Sequence, residues 1–167
     1  MALIVEDGTI VTGANSYVSV TNARTWATAR GLTFTGADSV VEARLVNAMD
    51  VLEGMRDRWK GTKVEADQPL QWPREDVVID GEDWDEATIP PELIAAQIQL
   101  AYDSETNELQ PTGSGQEVIR EKTDVIETEY AKRGTGTVQA QFNKAMNFLK
   151  PLLKAGTGLW TLEAVRR

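Results

Sequence analysis

The longest amphipathic pattern in the chain is VVEARLVNAMDVLEGMRDRWK, residues 40–60. Apolar residues recur in it at alternating spacings of four and three, which places them on one face of an α-helix. These residues are Val41, Leu45, Ala48, Leu52, Met55 and Trp59. Ser39 and Glu42 have the spacing of a capping box, so we expect the helix to begin there and Gly61 to end it. Such a helix would be about 30 Å long and would form the centre of the fold.

Three further helices are predicted around this one. The first is expected over about 20–30, with Ser19 as its N-cap. Another has two prolines in its first turn, where a missing amide is tolerated, and runs over about 89–106. The last is capped by Thr137 and is kinked or ended by Pro151. The sequence therefore predicts a mainly α fold, a small bundle of about four helices with a β-hairpin insertion and extended termini.

The clearest strand pattern lies in residues 118–130, where apolar and polar residues alternate on both sides of a short turn. This pattern favours a β-hairpin at about 117–131, inserted after a flexible linker at 110–115. Near the N-terminus, the β-prone run 3–8 ends in an Asp-Gly turn signal, and we expect 10–13 to be its partner strand. A further short strand is expected at Val77–Ile79, ended by Asp80-Gly81.

The C-terminal residues differ from the rest of the chain. We expect one helical domain over 1–155 and an extended tail over 156–167, because Gly156 and Gly158 separate the two. The tail carries Leu159 and Trp160 at its centre. Chain ends are usually disordered unless something holds them, so two interpretations remain: the tail docks on a partner, or it packs on its own domain.

Several classes of function are disfavoured by composition. The 167-residue chain contains no histidine and no cysteine, which removes histidine bases, thiol nucleophiles, disulfides and the usual zinc sites. The acidic run 80–86 lacks the spacing of a calcium loop and is better interpreted as a solvated loop. We therefore expect no enzyme activity, no metal and no cofactor. No apolar run is long enough to span a membrane, and the N-terminus does not have the pattern of a signal peptide.

The net charge of −9 is unevenly distributed. Residues 1–63 are neutral, residues 64–129 carry eighteen acidic and three basic side chains, and residues 130–167 carry one acidic and seven basic ones. One interpretation is a solvated acidic face beside a basic last helix. The other is that oppositely charged ends of neighbouring copies meet head to tail, a kind of contact that builds rings or filaments.

One stretch concentrates basic and aromatic residues. Its members are Arg56, Arg58, Trp59, Lys60, Lys63, Trp72 and Arg74. Proteins that bind single-stranded nucleic acid without sequence preference combine such cations with stacking aromatic rings. Arg56, Arg58, Lys60 and Lys63 are therefore the alternative nucleic-acid contacts. Trp59 also lies on the apolar stripe of the predicted helix, which favours a place in the core instead.

Six segments of the chain form a recognisable set: MALIVEDG (1–8), ANSYVSV (14–20), RWKG (58–61), QPLQWPR (68–74), IPPEL (89–93) and ETEYA (127–131). Together they resemble the head-tail connector proteins of tailed bacteriophages, also called adaptor or head-completion proteins. The resemblance covers about residues 1–155, and Trp59, Trp72, Pro73 and Arg74 belong to its most specific motifs. Similar sequences are also described as DnaT-like single-stranded DNA-binding proteins, which is the alternative function.

The resemblance implies a structural virion protein, made in the host cytoplasm, that forms a homo-oligomeric ring at the head-tail junction. A twelve-subunit ring would bind the portal protein on one side and a tail, stopper or nozzle protein on the other. Genomic DNA would pass through its lumen without specific binding. The C-terminal segment would dock on the portal through Leu159, Trp160, Leu162, Val165, Arg166 and Arg167. The hairpin, whose edge strands are open to pairing, would join subunits through Val118, Arg120, Lys122, Val125, Glu127 and Glu129.

Overall fold

The computed structural model describes residues 2–106, 109, 118–122, 127–130 and 143–154. Within these residues there are four α-helices, which we number α1 (Val20–Thr28), α2 (Asp38–Glu53), α3 (Pro91–Asp103) and α4 (Asn143–Leu149). Two short 3-10 helices, Arg56–Arg58 and Lys150–Leu152, follow α2 and α4. The prediction of a small, mainly helical protein with a β-hairpin is confirmed.

Helix α3, and not α2 as predicted, lies at the centre of the fold. It packs against α2, α4 and α1, and every residue from Ala95 to Ala101 is buried. A helix that is buried on all sides must satisfy its polar side chains internally. Gln97 does so: its side-chain oxygen accepts from the amide of Tyr17 at 3.0 Å, and its nitrogen donates to Ser16 Oγ and to the carbonyl of Leu45. Gln97 thereby joins the N-terminal segment, α2 and α3.

Helix α2 buries the predicted apolar stripe but is shorter than predicted. All six stripe residues, from Val41 to Trp59, are buried. However, α2 ends at Glu53, and Trp59 has extended backbone angles. The predicted capping box is also wrong, because the N-cap is Ala37 and no side chain caps it. Instead, Arg24 donates to the carbonyls of Phe34 and Gly36 and to the Asp38 carboxylate, which fixes the chain entering α2 from outside the helix.

The N-terminal segment does not form the expected pair of strands at 3–8 and 10–13. Its backbone makes an isolated parallel bridge between Val5 and Ser16. Glu6 is 2% exposed, and its carboxylate accepts hydrogen bonds from the amides of Gly8, Ile10 and Val11. A buried carboxylate surrounded by amide donors organises the backbone as a loop, so these amides are not available for a strand ladder.

The other predictions of helix limits agree better with the structure. Ser19 caps α1 by accepting from the amide of Asn22, and α3 has Pro91 in its first turn. Pro151 lies in the 3-10 helix that follows α4, which therefore ends where predicted. The linker at 110–115, the Thr137 cap and the tail at 156–167 lie outside the described residues.

The described residues also form three two-stranded antiparallel sheets. They are β1 (Thr62–Lys63) with β2 (Arg74–Glu75), β3 (Val78–Ile79) with β4 (Glu82–Asp83), and β5 (Val118–Lys122) with β6 (Glu127–Tyr130). The register of the last pair runs from Val118 opposite Tyr130 to Lys122 opposite Glu127, so the predicted hairpin is confirmed. None of the helices in the described part of the chain is both long and apolar enough to cross a membrane.

Candidate functional site

The chain brings two basic segments together beside the core. Trp59 and Leu153 form an isolated antiparallel bridge. Next to it, the amide of Lys60 donates to the carbonyl of Leu152 at 3.0 Å, and the amide of Lys154 donates to the carbonyl of Arg58 at 2.9 Å. Residues 58–60 and 152–154 therefore lie side by side, and the sequences RDRWK (56–60) and KPLLK (150–154) that contain them carry five cations and one acid. We call these cations the basic patch: Arg56, Arg58, Lys60, Lys150 and Lys154.

The members of the basic patch differ in how far they are available to a ligand. Arg56, Lys150 and Lys154 are exposed, whereas Arg58 and Lys60 are half-buried. Lys60 Nζ donates to the carbonyl of Val78 at 2.9 Å, and Lys154 Nζ donates to the carbonyl of Asp57 at 3.2 Å. The patch therefore both holds neighbouring backbone in place and presents positive charge to solvent.

Sequence reasoning found only part of this patch. Arg56, Arg58 and Lys60 were predicted as nucleic-acid contacts, and they lie together. Lys63 was grouped with them, but its Nζ donates to the carbonyl of Gln68 within the following loop. The sequence did not predict that Lys150 and Lys154 belong to this patch, because the long-range pairing of residues 152–154 with 58–60 brings their segment there. The sequence signal that points to them is the excess of basic residues after position 130.

The two aromatic rings of the predicted cluster are inside the protein. Trp59 and Trp72 are both 0% exposed and meet edge to face, with ring centroids 6.2 Å apart. The backbone amide of Trp72 donates to the hydroxyl of Tyr17 at 3.1 Å, and Pro73 is buried beside it. Rings in this position do not offer a face on which a nucleic-acid base could stack.

The side chain of Arg74 also makes its hydrogen bonds within the protein. Its guanidinium donates to the carbonyls of Lys60, Gly61 and Gln71 at 2.7, 2.8 and 3.2 Å. Burial lowers the pKa of Arg74, while the neighbouring Tyr17 and Glu53 act in the opposite direction. Arg74 therefore ties the loop that contains Pro73 to the segment that follows the first 3-10 helix.

An acidic surface adjoins the basic patch. We give this name to the exposed or half-exposed carboxylates of the β3–β4 hairpin and its flanks: Glu75, Asp76, Asp80, Glu82, Asp83, Asp85 and Glu86. The contact between Lys60 and Val78 places β3 next to the patch. Over the part of the chain that the structure describes, no three acidic side chains are grouped so that they could hold a metal ion.

The remaining predicted site residues fall into two groups. Val118, Arg120 and Lys122 lie in β5, and Glu127 and Glu129 lie in β6, so the structure brings these five into one hairpin. Val125 lies outside the described residues. So do all six predicted portal-docking residues: Leu159, Trp160, Leu162, Val165, Arg166 and Arg167.

The fold and these surfaces define a class: a small, mainly helical protein with a hairpin between α3 and α4 and a basic patch where the segments that follow α2 and α4 meet. Within that class the chain belongs to the family described as "Putative DnaT-like ssDNA binding protein", which matches residues 1–167. No curated protein and no solved structure shows significant similarity to it.

Proposed function

We propose that this protein is a structural subunit of a bacteriophage head-tail junction, with no catalytic activity of its own. In this proposal about twelve copies form a ring that binds the portal protein on one side and a tail or stopper protein on the other. The ring extends the channel through which the genome passes, and the protein is part of the virion. The similarity of sequence motifs to connector proteins supports this role, and one feature of the fold supports it independently.

That feature is the position of the hairpin. Helices α3 and α4 pack against each other, and Lys144 at the start of α4 lies close enough to Asp103 at the end of α3 to affect its pKa. The end of α3 and the start of α4 therefore lie close together, and β5 and β6 pair with each other within the segment that connects these helices. Among the described residues no third strand pairs with β5 or β6, and unpaired strand edges recruit strands from neighbouring copies.

We assign the contact between subunits to the hairpin rather than to opposite charged poles. The acidic surface and the basic patch adjoin within one subunit, as the contact between Lys60 and Val78 requires. In the ring, the acidic surface would face the channel, where it would repel phosphates and let DNA slide. A ring structure with residues 75–86 entirely on its outer surface would contradict this placement.

Replacement of the hairpin tests the proposal. We would substitute a Gly-Ser linker for residues 117–131 and mix the variant with a purified phage portal protein. We expect the variant to keep its helical core, measured by circular dichroism, and to lose ring formation, measured by electron microscopy. The matched control replaces 110–115 with Gly-Ser residues of the same number and should still assemble. Rings formed by the hairpin variant would contradict the proposal.

A second candidate function, binding of single-stranded DNA, is favoured by the family description and by the basic patch. Under this alternative, binding would weaken steeply as salt rises from about 50 to 200 mM, because each phosphate contact releases counterions. Fluorescence anisotropy with a labelled oligothymidine measures this directly. Loss of binding in Arg56→Ala, Arg58→Ala and Lys154→Ala variants would support the patch as the contact. Absence of binding at low salt would dismiss the alternative.

A further inference from the structure

A cationic and aromatic cluster joins α1 to α4, away from the basic patch in sequence. Arg30 is exposed, and its guanidinium carbon lies 3.8 Å from the centre of the Trp26 ring. Arg30 Nη1 also donates to the carbonyl of Trp26 at 3.3 Å, which keeps the two residues together. The Trp26 ring is half-buried and meets Phe148 of α4 edge to face, with centroids 6.1 Å apart and an interplanar angle of 74°.

Two stretches of sequence without acidic residues meet at this cluster. A carboxylate that does lie near it is Asp103, whose pKa is raised by burial while the charge of Lys144 acts to lower it. Residues 8–37 contain no acidic side chain, and neither do residues 130–162, although the whole chain contains 26. The contact between Trp26 and Phe148 brings these two acid-free stretches together. Lys144 is exposed and precedes Phe148 by four residues, a spacing that places both on the same side of α4.

Comparison with the other tryptophans singles out Trp26. Trp59 and Trp72 are fully buried. Trp84 is half-buried, but it follows three acidic residues of the acidic surface, and its indole N–H donates to the carbonyl of Thr88. Among the tryptophans that the structure describes, Trp26 is therefore the one that combines a partly open ring with a stacked cation and a nearby lysine.

We propose that Trp26, Arg30, Lys144 and Phe148 form a contact surface for single-stranded nucleic acid. A base would stack on the outer face of the Arg30 guanidinium, whose inner face already rests on Trp26, and an adjacent phosphate would contact Lys144. Arginine planes and aromatic rings bind bases of any sequence in this way, and cations follow the backbone. The inference rests on the second candidate function above and assigns it to a surface other than the basic patch.

The test uses the full chain and a labelled oligothymidine of about 15 nucleotides, titrated at low salt. We expect Arg30→Glu and Trp26→Ala each to weaken binding by about fivefold or more, the range that corresponds to one stacked base. Trp26→Phe keeps a ring beneath Arg30 and should bind within about threefold of the native chain. Arg56→Glu is the matched control, because it makes the same change of charge in the basic patch. It should weaken binding less than Arg30→Glu does. Circular dichroism checks that each variant is folded; if Trp26→Ala is not, Arg30→Glu carries the test.

The outcomes separate this inference from the function on which it rests. If the native chain binds and Arg56→Glu abolishes binding while Arg30→Glu does not, single-strand binding holds but the surface assigned here is wrong. If the native chain shows no binding at low salt, both are overturned. If Arg30→Glu leaves binding unchanged but prevents assembly with the portal, the cluster is a contact between proteins and the inference is wrong.

Discussion

The indole rings of Trp59 and Trp72 meet edge to face at an interplanar angle of 87°, and neither ring is exposed to solvent. The two residues come from different loops, so this contact holds the segment that follows α2 against the loop that contains Pro73. The burial of both rings also limits how the surrounding cations could bind a ligand. With both rings inside the core, the basic patch offers charge to a partner without a stacking surface of its own.

Removal of one of these rings is expected to destabilise the fold. Trp72→Ala deletes a fully buried ring and should lower the free energy of unfolding by about 3–5 kcal/mol. Trp84→Ala removes a half-buried ring of the same size and should lower it by about 1 kcal/mol. Urea denaturation followed by circular dichroism measures both. Similar losses in the two variants would contradict the central position of the Trp59–Trp72 pair.

Two buried glutamines of α3 should respond differently to the same substitution. Gln97→Met leaves the buried amide of Tyr17 without its acceptor and removes a donor from Ser16 Oγ and from the carbonyl of Leu45, so we expect a loss of about 1–3 kcal/mol. In Gln99 the side-chain oxygen has no hydrogen-bond partner, and the nitrogen donates to Asp103. Gln99→Met removes a single hydrogen bond, to the half-buried Asp103 carboxylate, so we expect a smaller loss of stability than for Gln97→Met. The reverse order of the two unfolding midpoints would show that Gln97 does not join the segments as described.

Two glycines with nearly the same backbone angle provide another matched pair. Gly61 has a φ of 64° and Gly31 a φ of 69°. A Cβ at Gly61 would lie 2.1 Å from the carbonyl oxygen of Glu75, whereas one at Gly31 would meet nothing within 4 Å. Gly31→Ala should cost about 1 kcal/mol from the left-handed angle alone. Gly61→Ala should cost clearly more, because the β1–β2 pairing must shift; equal melting temperatures would contradict this.

The pH dependence of the free energy of unfolding should show the raised pKa of Asp103. Burial raises the pKa of Asp103, while a hydrogen bond from Gln99 and the charge of Lys144 partly oppose the rise. The folded state therefore holds this proton to higher pH than the unfolded state, so stability falls as pH rises through the folded-state pKa. Asp103→Asn lacks this titration. The difference in free energy of unfolding between the variant and the native chain should therefore favour the variant more at neutral pH than at acid pH. A difference between the two proteins that does not change with pH would contradict the assignment.

The sequence predicted the local features of the fold well. The periodic apolar residues of α2, the Ser19 cap, the prolines at the start of α3 and the hairpin of β5 and β6 all depend on neighbours in the chain. The errors occurred where distant groups compete with local preferences. Glu6 draws three amides away from a strand, and Arg24 fixes the entry to α2 in place of the Ser39 capping box.

The candidate sites were predictable only in part for the same reason. The basic residues at 56–60 are visible in the sequence, but their pairing with 152–154 is a long-range contact. Periodicity also suggested that Trp59 is buried, whereas nothing local showed that Trp72 is buried against it. The cluster of Trp26 and Arg30 was not found, because its third member, Phe148, lies on another helix.

The central claim is that copies of this chain build a ring at the portal, and a mass measurement tests it most directly. Mass photometry of the purified chain mixed with portal protein should reveal a complex that contains about twelve copies of each protein. Omission of the portal from the same experiment shows whether the ring needs it as a template. A mixture in which the chain keeps its own mass and never joins the portal would contradict the account.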